Sequence, residues 1–151
     1  MTTSYKETLR VGMDRAKWFS ESSHDPDTKT GCAIFKDGVN ITGGSNRIPT
    51  RIVVTNERIT RPEKYNWIEH CERQAIYNYY GSLMDFEGST MYLNWFPCAD
   101  CARAIVSVRI AHLVYIIKEG RKNDPRYGFE KSMEILKAGN VVLVEYKEEN
   151  Q

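Results

Sequence analysis

Apolar positions recur at helical spacing at the start of the chain. Tyr5, Leu9, Met13 and Ala16 fall on one face of the stretch 3–22 and predict an amphipathic helix. "HDPDTKT" breaks that pattern with Pro26 and polar residues. "GCAIF" and "VNITGG", joined through "KDG" at 36–38, predict an antiparallel hairpin. From Ser45 to Trp67 no period holds, and Pro49 and Pro62 interrupt. A loop this long in a compact domain is more often functional than decorative. A helical period returns in "EHCERQAIYNYYG", with Gly81 as its stop. Beyond it lie the strand "STMYLNWF", the helix "CADCARAIVSVRI" after Pro97 and the strand "HLVYII". The helix "YGFEKSMEILKAG", ending at Gly139, and the strand "NVVLVEY" complete the chain.

This alternation of strand and helix predicts βαβ units with parallel pairing. The near-continuous apolar runs "LVYII" and "VVLV" suit strands covered on both faces. The expectation is one α/β domain over 1–151, a five-stranded mixed sheet flanked by helices, with no repeat or linker.

Composition then removes several classes. The net charge of +1 gives no global electrostatic reason to expect a nucleic-acid polymer or an anionic membrane as partner. No apolar run approaches the ~20 residues needed to span a bilayer. The start, "MTTSYKETLR", lacks a signal peptide's apolar stretch, so a cytoplasmic location is expected. Four cysteines are too sparse for a disulfide framework, and in a reducing compartment clustered cysteines serve as metal ligands or catalytic groups.

Two of them, Cys98 and Cys101, follow Pro97 at the start of a predicted helix. There, unpaired backbone N–H groups and the helix dipole favour thiolate. Alone, C-x-x-C divides evenly between a redox pair and a metal site. The upstream segment "WIEHCERQAI" decides between them. His70 with Cys98 and Cys101 makes a one-nitrogen, two-sulfur set that suits borderline-soft Zn²⁺. Three protein ligands leave the fourth position for water, as a catalytic zinc requires. Glu72 lies two residues from His70, off the three- or four-residue stripe that a second ligand from one helix would follow. It is read as the proton carrier. A satisfied core histidine beside an incidental C-x-x-C would leave this joint occurrence unexplained.

H-x-E…P-C-x-x-C is the signature of zinc nucleobase deaminases. The chain resembles the cytidine-deaminase-like zinc deaminases, most closely the deoxycytidylate (dCMP) deaminases. "DPDTKTGCAIF" is similar to that family's first-strand entry and "GGSNRIP" to its Gly-Tyr-Asn-Gly-x-Pro loop. "RPEKYNWIEHCERQAIYN" and "EGSTMYLNWFPCADCARAIV" are similar to its two metal-binding segments. The resemblance implies a three-layer α/β/α cytidine-deaminase-like fold and one catalytic Zn²⁺ on His70, Cys98 and Cys101. It also implies Glu72 as proton shuttle, hydrolytic deamination of dCMP to dUMP with loss of ammonia, and a homo-oligomer, commonly a hexamer. Asn46 matches the loop asparagine that contacts the sugar, and the backbone at Cys71 matches the position that holds the pyrimidine carbonyl.

Two departures stand in the loop: Ser45 where the family usually has Tyr, and Arg47 where it usually has Gly. In some members that loop serves a regulatory nucleoside triphosphate, which would bring Mg²⁺. Effector control is therefore not carried over by resemblance alone. Arg47 is read as an added phosphate contact. Cys71 replaces a common Ala and is read as a small side chain packed beside the site, and Cys32 as a buried apolar residue.

Arg47, Arg51, Arg58, Arg61 and Lys64 stand against Glu57 and Glu63 in the segment 47–64. A free nucleoside does not need this excess, whereas guanidinium pairs well with a monophosphate. "KEGRKNDPR" at 118–126 is a second basic cluster, and Trp95, Trp67 and Tyr115 are candidate pocket walls. The nearest rival is deamination of another base carrier: a free nucleoside, a purine derivative or single-stranded nucleic acid. The near-neutral charge opposes the last. A thiol–disulfide oxidoreductase would leave His70 and Glu72 unexplained, and a zinc-stabilised binding module would have no need of Glu72.

Overall fold

The computed structural model describes residues 4–118 and 128–148. Asp37 and Gly38, with φ of 51° and 80°, make the two-residue turn between β1 (Gly31–Lys36) and β2 (Val39–Ser45). Paired positive φ values of this kind match the right-handed twist of the flanking strands. With β3 (Thr90–Leu93), β4 (His112–Tyr115) and β5 (Val142–Glu145), the sheet runs in the order β2-β1-β3-β4-β5. β1 is antiparallel to both β2 and β3, whereas β3, β4 and β5 are mutually parallel neighbours.

Strand alternation sorts the core into two layers. Ala33, Tyr92, Val114 and Val144 pair in register across four strands and pack under α1 (Tyr5–Ser20) through Met13 and Ala16. Cys32, Leu93 and Tyr115 occupy the other face. That face is covered by α3 (Cys71–Tyr77), α4 (Ala99–Ser107) and α5 (Phe129–Ala138). The three-layer α/β/α expectation is met.

Several boundaries differ from the sequence reading. α3 stops at Tyr77 rather than Gly81, where Asn78 caps the helix and its side-chain amide donates to the Gly43 carbonyl of β2 at 3.2 Å. β3 ends at Leu93, because Asn94 closes the start of β1 by accepting the Gly31 N–H at 2.9 Å. A one-turn helix, α2 (Lys64–Trp67), appears in the aperiodic segment, and a 3₁₀ turn at Leu83–Phe86 seats Phe86 in the core. β5 is an edge strand with Val142 half exposed, so its apolar run is not covered on both faces as expected. The basic residues 119–126 lie outside the described residues. Among those described, no helix is long and apolar enough to cross a membrane.

Candidate active site

The two parallel-half helices begin at one point above the sheet. His70 is the N-cap of α3, with extended backbone at φ −72° and ψ 147°. Cys98 is the N-cap of α4 rather than a residue inside it, and its Sγ accepts the Cys101 N–H at 3.5 Å. His70 Nδ1 lies 3.4 Å from the Sγ of Cys98 and 3.4 Å from that of Cys101. All three ligand atoms are within 4.8 Å of one another. A tetrahedral zinc with Zn–N of ~2.0 Å and Zn–S of ~2.3 Å holds nitrogen and sulfur about 3.5 Å apart, so this triangle fits the ion.

Its electrostatics point the same way. Donation from the Cys101 thiol, with help from His70, holds the Cys98 thiol down to about 4 against the opposing effect of burial. Cys101 is pushed far above its ordinary value by that same hydrogen bond and by burial. The two sulfurs thus share a proton that a bound cation would displace, because zinc is ligated by thiolate. The Cys98 hydrogen bond likewise raises the His70 imidazole.

The surrounding structure fixes these groups from several elements. Ser132 of α5 is fully buried, and its hydroxyl donates to the Pro97 carbonyl at 2.6 Å and the Cys98 carbonyl at 3.4 Å. Glu69 Oε1 accepts the His70 N–H at 2.8 Å and the Arg73 Nε–H at 2.8 Å. An isolated antiparallel bridge between Arg47 and Glu69 stitches the loop after β2 to the start of α3. α3 also lies unusually close to β2: a Cβ at Gly44 would fall 2.8 Å from Ala75 N and 2.9 Å from Cys71 O.

Glu72, 5% exposed, sits in the first turn of α3, and its Oε1 accepts the Cys71 thiol at 2.8 Å. Burial, with Cys32 and Glu72 nearby, pushes the Cys71 thiol well above its usual range.

His70, Cys98 and Glu72 line a cleft of about 550 Å³. Trp95, Phe96, Ile68 and Phe129 supply its apolar wall, with Trp95 edge-on to Phe129 at 6.0 Å. Asn46 lines it too, but its amide also organises the neighbouring loop. Its Oδ1 accepts the Thr30 N–H at 2.9 Å, and its Nδ2 donates to the Thr28 carbonyl at 2.8 Å.

Of the five cations read from the segment 47–64, Arg61 and Lys64 line the cleft. Arg47 does not. Its backbone is held by Glu69 and its Nη2 lies 3.3 Å from His24 Nε2, so it stands outside this lining. Arg58 donates to the Val53 carbonyl at 2.8 Å and stacks 4.1 Å from the Trp67 ring centroid, so neither forms the wall. Tyr115 packs into the core against Phe96. The Cys71 side chain is fully buried behind the cleft.

Sequence reasoning missed Asp25, Thr28, Thr30 and Phe129 as lining residues. A legible signal was the "DPDT" turn, in which Asp25 Oδ1 accepts the backbone N–H groups of Asp27 and Thr28 at 2.8 and 3.2 Å.

Fold and site together define a cytidine-deaminase-like α/β/α zinc-site protein. The chain matches the cytidine and deoxycytidylate deaminase zinc-binding region over residues 6–117, and it belongs to that family. It is 28% identical over 115 residues to the deoxycytidylate deaminase of Homo sapiens, covering 70% of this chain and 62% of that protein. It is 29% identical over 126 residues to a probable deoxycytidylate deaminase of Caenorhabditis elegans, covering 80% and 60% respectively. The chain thus spans about six-tenths of the length of these curated relatives. In three dimensions it matches the dCMP deaminase of the cyanophage S-TIM5, solved with dCMP and dUMP. The TM-score is 0.74 at 20% identity, over 96% of this chain and 100% of that one.

Proposed function

We propose that residues 1–151 form a single zinc-dependent deaminase domain that converts dCMP and water to dUMP and ammonia. The observation that carries this reading is the buried Glu72 carboxylate beside the His70–Cys98–Cys101 triangle, on a cleft rimmed by Arg61. When bound at those three ligands, zinc supplies the Lewis acidity that lets water act as a nucleophile near neutral pH.

The chain's own groups do the rest. Glu72 takes a proton from the attacking water and delivers it to N3 of cytosine. It then carries a second proton to the exocyclic amine, which leaves as ammonia. Trp95, Phe129 and Ile68 flank the base and exclude water. Asn46 faces the sugar, the Cys71 backbone meets the pyrimidine carbonyl, and Arg61 pairs with the 5′-phosphate. Arg61 takes this role because Lys64 is already held by two carboxylates, Asp25 at 3.0 Å and Asp27 at 2.8 Å. An intracellular homo-oligomer in pyrimidine deoxynucleotide metabolism goes with this reading.

The test is metal analysis followed by ammonia release from dCMP, CMP, deoxycytidine, dCTP and a cytosine oligonucleotide. One zinc per chain and fastest release from dCMP are expected. Release from the nucleoside or oligonucleotide with none from dCMP overturns the reading in favour of another base carrier. Parallel arms with dCTP or dTTP and Mg²⁺ report whether nucleotide regulation extends to this chain.

A further inference from the structure

Glu72 is asked to move protons in two directions, which requires its carboxylate to be held in one place yet keep an oxygen available. Adjacent side chains on a helix diverge and do not normally meet. Long helical side chains, however, lean back toward the N-terminus. In the first turn of α3, the Glu72 carboxylate leans onto Cys71, and Oε1 receives the thiol at 2.8 Å. Among the described residues, Cys71 is the one side chain that hydrogen-bonds to Glu72.

The Cys71 sulfur is itself fixed from below. Its residue is completely buried in the core layer with Cys32, Ala75 and Leu93. The Cys32 thiol of β1 donates to the Cys71 carbonyl at 3.3 Å, and the bare Gly44 of β2 lets the helix settle onto the sheet. Strand, helix backbone, thiol and carboxylate form a continuous support.

We propose that Cys71 is a positioning residue for the deamination reaction. Its thiol donates to Oε1 of Glu72, orients the carboxylate and leaves Oε2 for proton transfer at the cleft. This rests on the deaminase reading given above. It assigns the thiol a role beyond filling space, because an alanine would fill most of that space without supplying a donor. A donor on one carboxylate oxygen fixes the direction of the other, and misplacing a positioned acid–base group forfeits part of its ~10²–10⁴-fold contribution.

Two measurements on the zinc-loaded protein test it. In Cys71→Ala, kcat should fall about tenfold, part of the acid–base contribution, with KM and zinc content unchanged, while Cys71→Ser, which keeps a donor, should return to within about twofold of wild type. Wild-type kcat in Cys71→Ala, or an equal loss in both variants, overturns the proposal. The second readout needs no turnover. The S–H stretching band that disappears in Cys71→Ser should move to higher frequency in Glu72→Gln, where the acceptor loses its charge; an unmoved band overturns the proposal. If the wild-type protein fails to deaminate dCMP, the functional reading falls, and the S–H band alone decides the role of Cys71.

Discussion

The ammonium of Lys64 lies 3.0 and 3.2 Å from the two carboxylate oxygens of Asp25, 39 positions earlier in the chain, and the lysine is only 3% exposed. This pair joins the turn after α1 to the one-turn helix at the cleft rim. It places Asp27, at 2.8 Å, on the same cation. Removing the lysine leaves a buried carboxylate without its partner. Lys64→Met should therefore destabilise the fold by about 3–5 kcal/mol, as broken buried pairs do. Calorimetry on the variant reads this directly; an unchanged Tm would contradict it.

The same cluster gives a pH signature. Burial works against the Lys64 charge, but hydrogen bonds to Asp27 and Asp25 more than offset it, so its pKa lies above the ordinary lysine value. The stability it contributes is complete below that ordinary value and is lost as pH rises through the raised one. Asp27 is shifted down, chiefly by the hydrogen bond from Lys64. Its contribution is complete above the ordinary carboxylate value and is lost as pH falls through the lowered one. Thermal unfolding across pH should show both declines in wild type, and both should flatten in Lys64→Met.

Glu72→Gln keeps the shape of the side chain but cannot carry a proton. Zinc content should stay at the wild-type level while kcat drops by at least ~10²–10⁴, the usual contribution of positioned acid–base catalysis. Metal analysis beside ammonia-release kinetics separates the two effects, and wild-type turnover would remove Glu72 from the mechanism.

Cys98→Ser should fail to retain zinc on dialysis, because the N-cap sulfur is one corner of the ligand triangle. Chelation of the wild-type protein should lower Tm, since an ion that binds only the folded state stabilises it by mass action. A chelated protein with unchanged Tm would argue against a metal at this position.

Arg61 tests the phosphate assignment. Its side chain is 63% exposed and only loosely paired with Asp27 at 3.6 Å. Arg61→Ala should raise KM for dCMP by about fivefold, a modest effect because solvent screens an exposed cation. KM for deoxycytidine should not change. Equal shifts for both substrates would assign Arg61 to the loop's structure instead.

Much of the site was legible because its chemistry is local. His70 and Glu72 are two residues apart and Cys98 and Cys101 three apart, each pair at a helix start, where side-chain type and spacing alone restrict the possible roles. The hairpin was legible for the same reason: the Asp37–Gly38 turn is written in adjacent residues. The helix and strand ends were less so. Asn78 and Asn94 end their elements through hydrogen bonds to Gly43 and Gly31, partners 35 and 63 positions away.

By itself, the amino-acid sequence determined the alternation of strands and helices, the ligand types and the acid beside them, because periodicity and short spacing survive in one dimension. Only the tertiary structure decided which charges face the cleft. Arg47 and Arg61 read alike in the chain, yet backbone pairing with Glu69 and the contact with His24 keep Arg47 out of the lining, while Arg61 stands in it. It also decided what supports the site: Ser132 on the Cys98 turn, Asp25 on Lys64, and the Cys71 thiol on Glu72. The first two join distant segments. The third joins neighbours that a regular helix would point apart.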